Sequence, residues 1–140
     1  MTMVARAVII RRGRMLLAYD KKNQMYFLPG GHVEPGELIE ETLKREAREE
    51  FRGRVSNVKF IGACENHFPN GPGDRHHEMN IVFTAGVDRS NVVSYEDHIH
   101  FVWKPATELA QYRILPRGIA SAIMKALRTG RPFWLVRVSR

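Results

Sequence analysis

The chain of 140 residues lacks the features that define several large classes of protein. It has one cysteine, Cys64, so an internal disulfide and a thiolate zinc cluster are both excluded. No apolar run reaches the roughly 18 residues that a transmembrane helix needs. Repeats and low-complexity tracts are absent, and residues 1–10 lack the cleavage pattern of a signal peptide. We therefore expect a single domain spanning residues 1–140 in a reducing cytoplasm.

Positive charge, in contrast, is abundant. Lysine and arginine number 22 against 15 acidic residues, which gives a net charge of +7 and an isoelectric point near 10.0. Such a surface favours an anionic partner, either a phosphorylated small molecule or RNA. The alternative is a soluble surface that happens to be basic. The basic residues form no long run of the kind that disordered nucleic-acid tails usually carry.

The pattern of apolar residues predicts strands and helices in a mixed order. Residues 37–51 are predicted to be helical, because apolar side chains recur there every four residues without an interrupting glycine or proline. A second helix is predicted at 117–128 and a short one at 105–111. Strands are predicted at 4–10, 15–19, 55–68, 79–87, 98–103 and 133–138, the first two joined by a turn at Gly13. This order indicates an α/β or α+β fold with a mixed sheet between helices.

The first predicted helix carries three carboxylates whose spacing indicates a metal site. Glu46, Glu49 and Glu50 stand at i, i+3 and i+4, so they project from one side of the helix within two turns. Carboxylates so close together repel one another unless a cation neutralises them. Oxygen ligands favour a hard cation, Mg²⁺ or Mn²⁺, over zinc.

The alternative explanation is a solvated acidic helix face, which is the usual reason for glutamate on a helix. At about 100° per residue, Glu50 lies about 20° from Leu43, and Glu46 about 20° from Ile39. Two carboxylates therefore fall within or beside the apolar stripe of the helix. A carboxylate turned toward a core needs a partner, which a bound cation would supply. The helical geometry alone leaves both explanations open.

The whole stretch of residues 31–53 resembles the Nudix box, G-x5-E-x7-R-E-U-x-E-E-x-G-U, in which U is a bulky aliphatic residue. Pro29-Gly30 just before it also resembles the usual entry to the box. By this resemblance the chain is identified as a member of the Nudix hydrolase family, and the expected fold is the Nudix fold, a mixed β-sheet sandwiched between helices. The matching positions are Gly31, Glu37, Arg45, Glu46, Glu49 and Glu50.

Three positions depart from the box. Ala47 takes the place of a bulky aliphatic residue, Arg52 stands where the late glycine belongs, and Gly53 takes the final aliphatic position. A glycine is favoured at a helix C-terminus because it readily adopts the left-handed conformation. We expect Gly53 to provide that cap one residue later, so that the turn is reshaped and the site is spared.

The resemblance implies a role for each matching residue. Glu49 and Glu50 are the expected metal ligands, Glu46 joins the metal shell or orients water, and Gly31 offers its backbone carbonyl. The cofactor implied is Mg²⁺ or Mn²⁺. All three glutamates are therefore catalytic candidates.

Further acidic and basic residues are assigned to supporting roles by the same resemblance. Glu37 and Arg45 are expected to pair and to hold the loop against the helix. Family members often place another acidic residue in a loop after the box, and Glu96 is the catalytic candidate there. A polar turn residue is the alternative for Glu96, and Asp97 and Glu78 are weaker candidates.

The six histidines also invite a metal site. His98 and His100 share one face of a predicted strand, and residues 76–77 precede another strand. A histidine site requires two or three converging ligands, which a sequence does not show. We predict histidines of the surface or loops, and His32, inside the box loop, carries little information.

The aromatic residues leave the substrate-binding residues unassigned. Aromatic side chains that lie in strands usually belong to the core, although five of them are able to stack on a base. Phe68 and Tyr95, next to polar loops, are the better candidates for that role, and the others are Tyr26, Phe27 and Trp103.

The activity implied is metal-dependent hydrolysis of a diphosphate linkage in a nucleoside diphosphate derivative, by attack of water on phosphorus. The alternative is a catalytically weak Nudix-fold module that binds a nucleotide or RNA, and a cap-removing role is a third hypothesis. No membrane partner is expected, and a homodimer is compatible with the resemblance.

Overall fold

The computed structural model describes the whole chain, residues 1–140. Two α-helices, α1 (Ile39–Phe51) and α2 (Ile119–Thr129), accompany nine strands and one turn of 3-10 helix at Leu109–Gln111. Neither α-helix is long and apolar enough to cross a membrane. The strands are β1 (Thr2–Val8), β2 (Ile10–Arg11), β3 (Arg14–Asp20), β4 (Met25–Phe27), β5 (Gly30–His32), β6 (Val55–Pro69), β7 (Arg75–Val87), β8 (Ile99–Pro105) and β9 (Phe133–Val138).

A five-stranded mixed sheet lies at the centre, in the order β5-β1-β7-β6-β9. β1 is parallel to β7 and β6 is parallel to β9, whereas β1–β5 and β6–β7 are antiparallel. Alternate residues of β1 point to opposite faces. Ala5 and Ala7 therefore pack in the core under α1, and Val8 packs in the core under α2. The predicted fold, a mixed sheet sandwiched between helices, is confirmed.

A second, antiparallel sheet surrounds β3, which pairs with β2, β4 and β8. Its central strand contributes to both cores, since Leu16 packs on the side of α1 and Leu17 on the side of α2. Both residues have no solvent-exposed surface. The hydrophobic pattern of the sequence does not reveal this division of the strands into two sheets. A strand that is buried on both faces has the same apolar sequence pattern in one sheet as in the other.

The predicted pairing of the first two strands is wrong in most of its length. β1 ends at Val8, and its two edges are occupied by β5 and β7. The hairpin with β3 is therefore confined to the two residues of β2, beginning with the pair Ile10↔Met15. The turn itself falls where Gly13 indicated, and that glycine has a φ of 76°. The chain leaves the central sheet at Ile9 because β1 has no free edge left for β3.

The C-terminus of α1 also differs from the expectation. Arg52, not Gly53, adopts the left-handed conformation, with φ 53° and ψ 28°. The Gly53 N–H donates to the carbonyl of Ala47 at 3.1 Å and completes the turn. Gly53 is still required for space, because a Cβ there would overlap the ring of Phe51. The residue that departs from the box thus occupies the box glycine's conformation.

Two strands begin at other residues than predicted, and in both cases this changes the location of histidines. β7 begins at Arg75, so His76 and His77 lie within the strand instead of before it. The long β6–β7 hairpin pairs as far as Pro69↔Arg75, at the edge of the polar loop. β8 begins at Ile99, which leaves His98 in the preceding loop.

Candidate active site

Helix α1 turns one face to the core and carries its carboxylates at the edge of that face. Leu43 and Ala47 are buried, at 2% and 4% exposure. Glu50 is half-buried beside them, whereas Glu41 is exposed on the far side. The helical geometry predicted this contrast, since Glu50 lies about two turns beyond Leu43 on nearly the same line.

Glu37 anchors the loop before α1 through three donors. Arg45 donates to Glu37 from Nε (to Oε2, 2.7 Å) and from Nη2 (to Oε1, 3.1 Å). The Thr42 hydroxyl and the Glu34 N–H donate to Glu37 Oε1 as well, at 2.6 and 3.2 Å. These bonds, that from Arg45 above all, lower the pKa of Glu37 to about 2. Because its carboxylate is bound by the loop and the first turn, Glu37 lies outside the helix that was predicted to begin there.

The same arginine connects the loop to the acidic face. Arg45 Nη1 donates to Glu46 Oε1 at 2.9 Å and to Glu49 Oε2 at 3.1 Å. Its Nη2 also donates to the backbone carbonyl of His32 at 2.9 Å. Arg45 therefore orients two of the three predicted ligands and the strand end that carries Gly31. The hydrogen bonds that Arg45 donates to Glu37 are the main reason why the pKa of Arg45 is raised.

Glu50 has the most unusual environment in the chain. Its Oε1 is buried and has no hydrogen-bond partner. Burial, reinforced by the neighbouring charge of Glu46, raises the pKa of Glu50 to about 8. Arg6 opposes this rise, and Glu96 adds to it. A buried carboxylate oxygen without a partner is costly, so this atom points to a ligand that the protein chain itself does not provide.

Most of the predicted site residues line one cleft. Gly31, Glu46, Glu50 and Glu96 all line it. A Cβ at Gly31 would overlap the carboxylate of Glu46, so the glycine leaves the room that this carboxylate occupies. Glu49 is not among the residues that line the cleft, and 60% of its side chain is exposed. The donor set consists of carboxylate and carbonyl oxygens, and with the orphaned Glu50 oxygen it fits Mg²⁺ or Mn²⁺.

Arg6 is a lining residue that sequence reasoning missed. Its Nε donates to Asn80 Oδ1 at 3.4 Å and its Nη1 donates to the carbonyl of Leu28 at 3.0 Å. Its Nη2 donates to no protein group and is not sealed from solvent. Burial lowers the pKa of Arg6, and the charges of Glu78 and Glu50 oppose this change. The sequence did offer one signal for this residue, because Arg6 is the only charged residue in the apolar strand predicted at 4–10.

A second, more apolar cavity of about 430 Å³ adjoins the cleft and shares Arg6 and Phe27 with it. Phe68 lines this cavity, as expected for a residue able to stack on a base, and Phe27 does so unexpectedly. Polar groups also open into it. They belong to Asn66, Glu78 and Asn80, together with Arg117 and Arg137.

The remaining candidates lie elsewhere. Asp97 is exposed outside the cleft, and Glu78 lines the second cavity instead. Tyr95 stacks under the guanidinium of Arg52 at 4.4 Å, so it does not line either cavity. Trp103 donates from Nε1 to the carbonyl of Ser90 at 2.7 Å, and Tyr26 packs against other tyrosines.

Comparison with known proteins supports the resemblance seen in the sequence. The family model described as NUDIX domain matches residues 1–124. The chain is 33% identical over 98 residues to a protein of Chromobacterium violaceum named NAD-capped RNA hydrolase NudC, covering 68% of this chain and 34% of that protein. It is 42% identical over 55 residues to the putative 8-oxo-dGTP diphosphatase YtkD of Bacillus subtilis, covering 39% and 35%. The chain thus spans about a third of the length of the curated relatives it matches.

Solved structures show the same architecture. A MutT protein from Bacillus halodurans superposes with a TM-score of 0.79 at 22% identity, covering 96% of this chain and 87% of that one. The Escherichia coli ORF135 protein does so with a TM-score of 0.66 at 27% identity, covering 94% and 93%. The first of these likenesses concerns the fold alone. With the family model matching most of its length and four of the six matching box residues lining one acidic cleft, the chain belongs to the Nudix hydrolase family.

Proposed function

We propose that this chain hydrolyses a diphosphate linkage in a nucleoside diphosphate derivative, by attack of water on phosphorus with the aid of a divalent cation. The observation that carries the proposal is Glu50, whose buried Oε1 lacks any partner beside the carboxylate of Glu46. Two neighbouring carboxylates that line one cleft form a site for a cation and, through it, for a polyphosphate.

The cation would be held by Glu46, Glu49 and Glu50, with the backbone carbonyl of Gly31 as a further oxygen ligand. Mg²⁺ or Mn²⁺ bound there lowers the pKa of water and offsets the charge of the phosphate oxygens. Arg45 keeps Glu46 and Glu49 on the cleft side of α1 through its hydrogen bonds at 2.9 and 3.1 Å. Glu37 in turn keeps Arg45 in place.

Glu96 is proposed as the group that accepts the proton from the attacking water. It lines the cleft from the loop before β8, which is bonded to α1 where the Tyr95 N–H donates to the Glu50 carbonyl at 3.3 Å, and its charge acts on Glu50. Its side chain is 58% exposed, so the carboxylate can reach a water molecule in the cleft. Its backbone N–H donates to the Ser94 hydroxyl at 3.0 Å, which shapes the loop.

Arg6 and the adjoining cavity support a nucleotide-like substrate. Arg6 lines both the cleft and the cavity, and a guanidinium there is suited to a phosphate oxygen. The rings of Phe27 and Phe68 and the amide of Asn66 offer stacking and hydrogen bonds to a base. We therefore propose that the phosphates lie in the acidic cleft and the nucleoside in the cavity.

A substrate panel tests the proposal. Formation of the two phosphorylated products is measured by chromatography for ADP-ribose, dinucleoside polyphosphates, nucleotide sugars, coenzyme A, 8-oxo-dGTP and NAD-capped RNA, with Mg²⁺ and with excess chelator. We expect turnover of at least one member, lost with chelator and restored by Mg²⁺ or Mn²⁺. Turnover that persists undiminished in excess chelator would show that the metal mechanism is mistaken.

The alternative is a Nudix-fold module that binds a nucleotide or RNA without turning it over. The net charge of +7 favours it, as does the cluster of Arg11, Arg12 and Arg14 around one surface pocket. The same experiment separates the two hypotheses, because a module would bind panel members without cleaving their diphosphate linkage. Affinity for RNA that falls steeply with salt would indicate contacts to its backbone.

Three further predictions concern the whole protein. Residues 1–140 are proposed to fold as one domain, because both cores pack on the same central sheet. A homodimer is a prediction that light scattering coupled to size-exclusion chromatography would test. A cytoplasmic location remains a prediction from the single cysteine and from the nucleotide chemistry.

A further inference from the structure

Three side chains that the proposed reaction does not use converge at the border between the acidic cleft and the apolar cavity. They are His32 at the end of β5 and His76 and Glu78 on β7. One ligand atom from each lies within 4.8 Å of the other two. The separation between His76 Nε2 and Glu78 Oε2 is 4.0 Å.

The topology of the central sheet causes this convergence. β1 lies between β5 and β7, with Val4 opposite His32 and Thr2 opposite Glu78. The outer two strands are therefore separated by roughly 10 Å, twice the spacing of neighbouring strands, and long side chains can meet over β1. His76 and Glu78 point to the same face because they are two residues apart.

Two imidazoles and one carboxylate form a donor set typical of a transition-metal ion. Zinc sites with two histidines and a glutamate leave a position open for water, and imidazole also suits Co²⁺ and Ni²⁺. His32 is exposed and His76 half-exposed, so modest side-chain rotations can bring the ligand atoms to bonding distance. Hard Mg²⁺ prefers the all-oxygen set of α1 instead.

The carboxylate of Glu78 is already held in a suitable orientation. Asn80 donates from Nδ2 to Glu78 Oε1 at 3.4 Å, which leaves Oε2 on the side of His76. Asn80 is completely buried and is itself fixed by Arg6 at 3.4 Å. Partners of this kind orient metal ligands and raise the affinity of a site. The Glu78 side chain is 13% exposed, so little rotation is open to it.

We propose that His32, His76 and Glu78 form a second metal site, which binds a divalent transition ion such as Zn²⁺ and is separate from the acidic site of α1. It lies beside the substrate region, because His32 lines the acidic cleft and Glu78 lines the cavity next to it. Occupation of the site links β5 to β7 across β1. Since the ion binds the folded chain, it raises the melting temperature.

The test uses untagged full-length protein, freed of metal and kept in millimolar Mg²⁺ to fill the acidic site. Co²⁺ alone is titrated while its visible absorption is followed, and thermal melts are recorded with and without Zn²⁺. We expect one Co²⁺ per chain with a nitrogen-ligand spectrum, and a higher melting temperature with Zn²⁺. His76→Ala and Glu78→Gln should each weaken Co²⁺ binding by at least about tenfold.

His77→Ala is the matched control. His77 is the next residue of the same strand, faces the other side of the sheet, and bonds to Glu65 Oε2 at 2.6 Å. The His77→Ala variant should bind Co²⁺ with the same affinity as the unaltered protein. Should His76→Ala fail to fold, His32→Ala serves in its place, because His32 is exposed.

Three results would overturn the proposal. One is the absence of a Co²⁺ band in the unaltered protein, and another is a loss of binding in His77→Ala as large as in His76→Ala. The third is a Co²⁺ band that Glu50→Gln abolishes, which would place the ion on α1. None of these readouts depends on catalytic turnover.

Discussion

Arg45 and Glu37 are joined by two hydrogen bonds, with Nε 2.7 Å from Oε2 and Nη2 3.1 Å from Oε1. The remaining nitrogen of the guanidinium, Nη1, reaches Glu46 at 2.9 Å. One side chain therefore connects the loop before α1 to a carboxylate of the candidate metal site. Both partners are largely buried, at 16% and 12% side-chain exposure. If one of them is removed, the charge of the other is left without a partner and with little access to water.

Replacing Arg45 should affect stability and activity together. Arg45→Ala leaves Glu37 without its main partner and releases Glu46 and Glu49 from their orientation. We expect a lower melting temperature and a lower kcat. Thermal melts and steady-state kinetics are compared with Arg128→Ala, an exposed position on α2. Equal and negligible shifts in the two variants would contradict the structural role of the pair.

Charge at the metal face should matter more than charge elsewhere on α1. Glu50→Gln and Glu49→Gln keep the size of the side chain but remove a charged ligand, and a loss of ~10²–10⁴-fold in kcat is expected. Glu41→Gln, on the exposed side of the same helix, should leave kcat nearly unchanged. Kinetics at saturating Mg²⁺ decide. A harmless Glu50→Gln, or an equally damaging Glu41→Gln, would mean that the metal face lies elsewhere.

The stability of the metal-free protein should fall as the pH rises from about 4.5 to about 8. The pKa of Glu50 is raised by burial from 4.5 to about 8, so across this window the folded protein holds a proton that the unfolded chain has released. The contribution of protonated Glu50 to the free energy of unfolding is fully present below pH 4.5 and is lost as the pH passes 8.

Thermal melts in chelator across this window measure the effect. The difference in melting temperature between the unaltered protein and Glu50→Gln should change steadily with pH, since the glutamine does not titrate. If the melting temperatures of the two proteins changed in parallel with pH, the raised pKa assigned to Glu50 would be wrong. The Glu37 carboxylate works in the opposite direction, because its pKa is lowered to about 2 and its contribution is lost as the pH falls from 4.5 toward that value.

The left-handed residue at the end of α1 offers a stability test. A non-glycine residue in this conformation costs about 1–2 kcal/mol. Arg52 recovers part of that cost by stacking on Tyr95 at 4.4 Å, a contact worth roughly 0.5–1 kcal/mol at an exposed site. Arg52→Ala keeps the strain and loses the stacking, whereas Arg52→Gly loses both.

Arg52→Gly should therefore exceed Arg52→Ala in free energy of unfolding by about 1–2 kcal/mol. Denaturant titrations of both variants measure the difference. Catalytic parameters should change little, since Arg52 does not line the cleft. If the alanine variant were the more stable of the two, the conformation assigned to Arg52 would be wrong.

Local patterns in the sequence were sufficient for the elements nearest the site. The recurrence of Leu43, Ala47 and Phe51 predicted α1, and the same helical geometry placed Glu50 beside the core and Glu41 in solvent. Contacts between distant segments were not predictable in this way. The short β2–β3 hairpin depends on β5 and β7 occupying both edges of β1, and β7 lies far along the chain.

The sequence by itself determined the family, the acidic helix and the pairing partners Glu37 and Arg45, because these are short-range properties of one segment with fixed helical spacing. The tertiary structure alone decided that Arg6 meets Glu50 and that His32 meets His76 and Glu78. The first meeting arises from the packing of α1 against β1 and β5. The second arises from the strand order β5-β1-β7, which brings residues far apart in sequence to one face of one sheet. Spacing along the chain carries no information about such neighbours, since long-range strand pairing is set by the packing of the whole core.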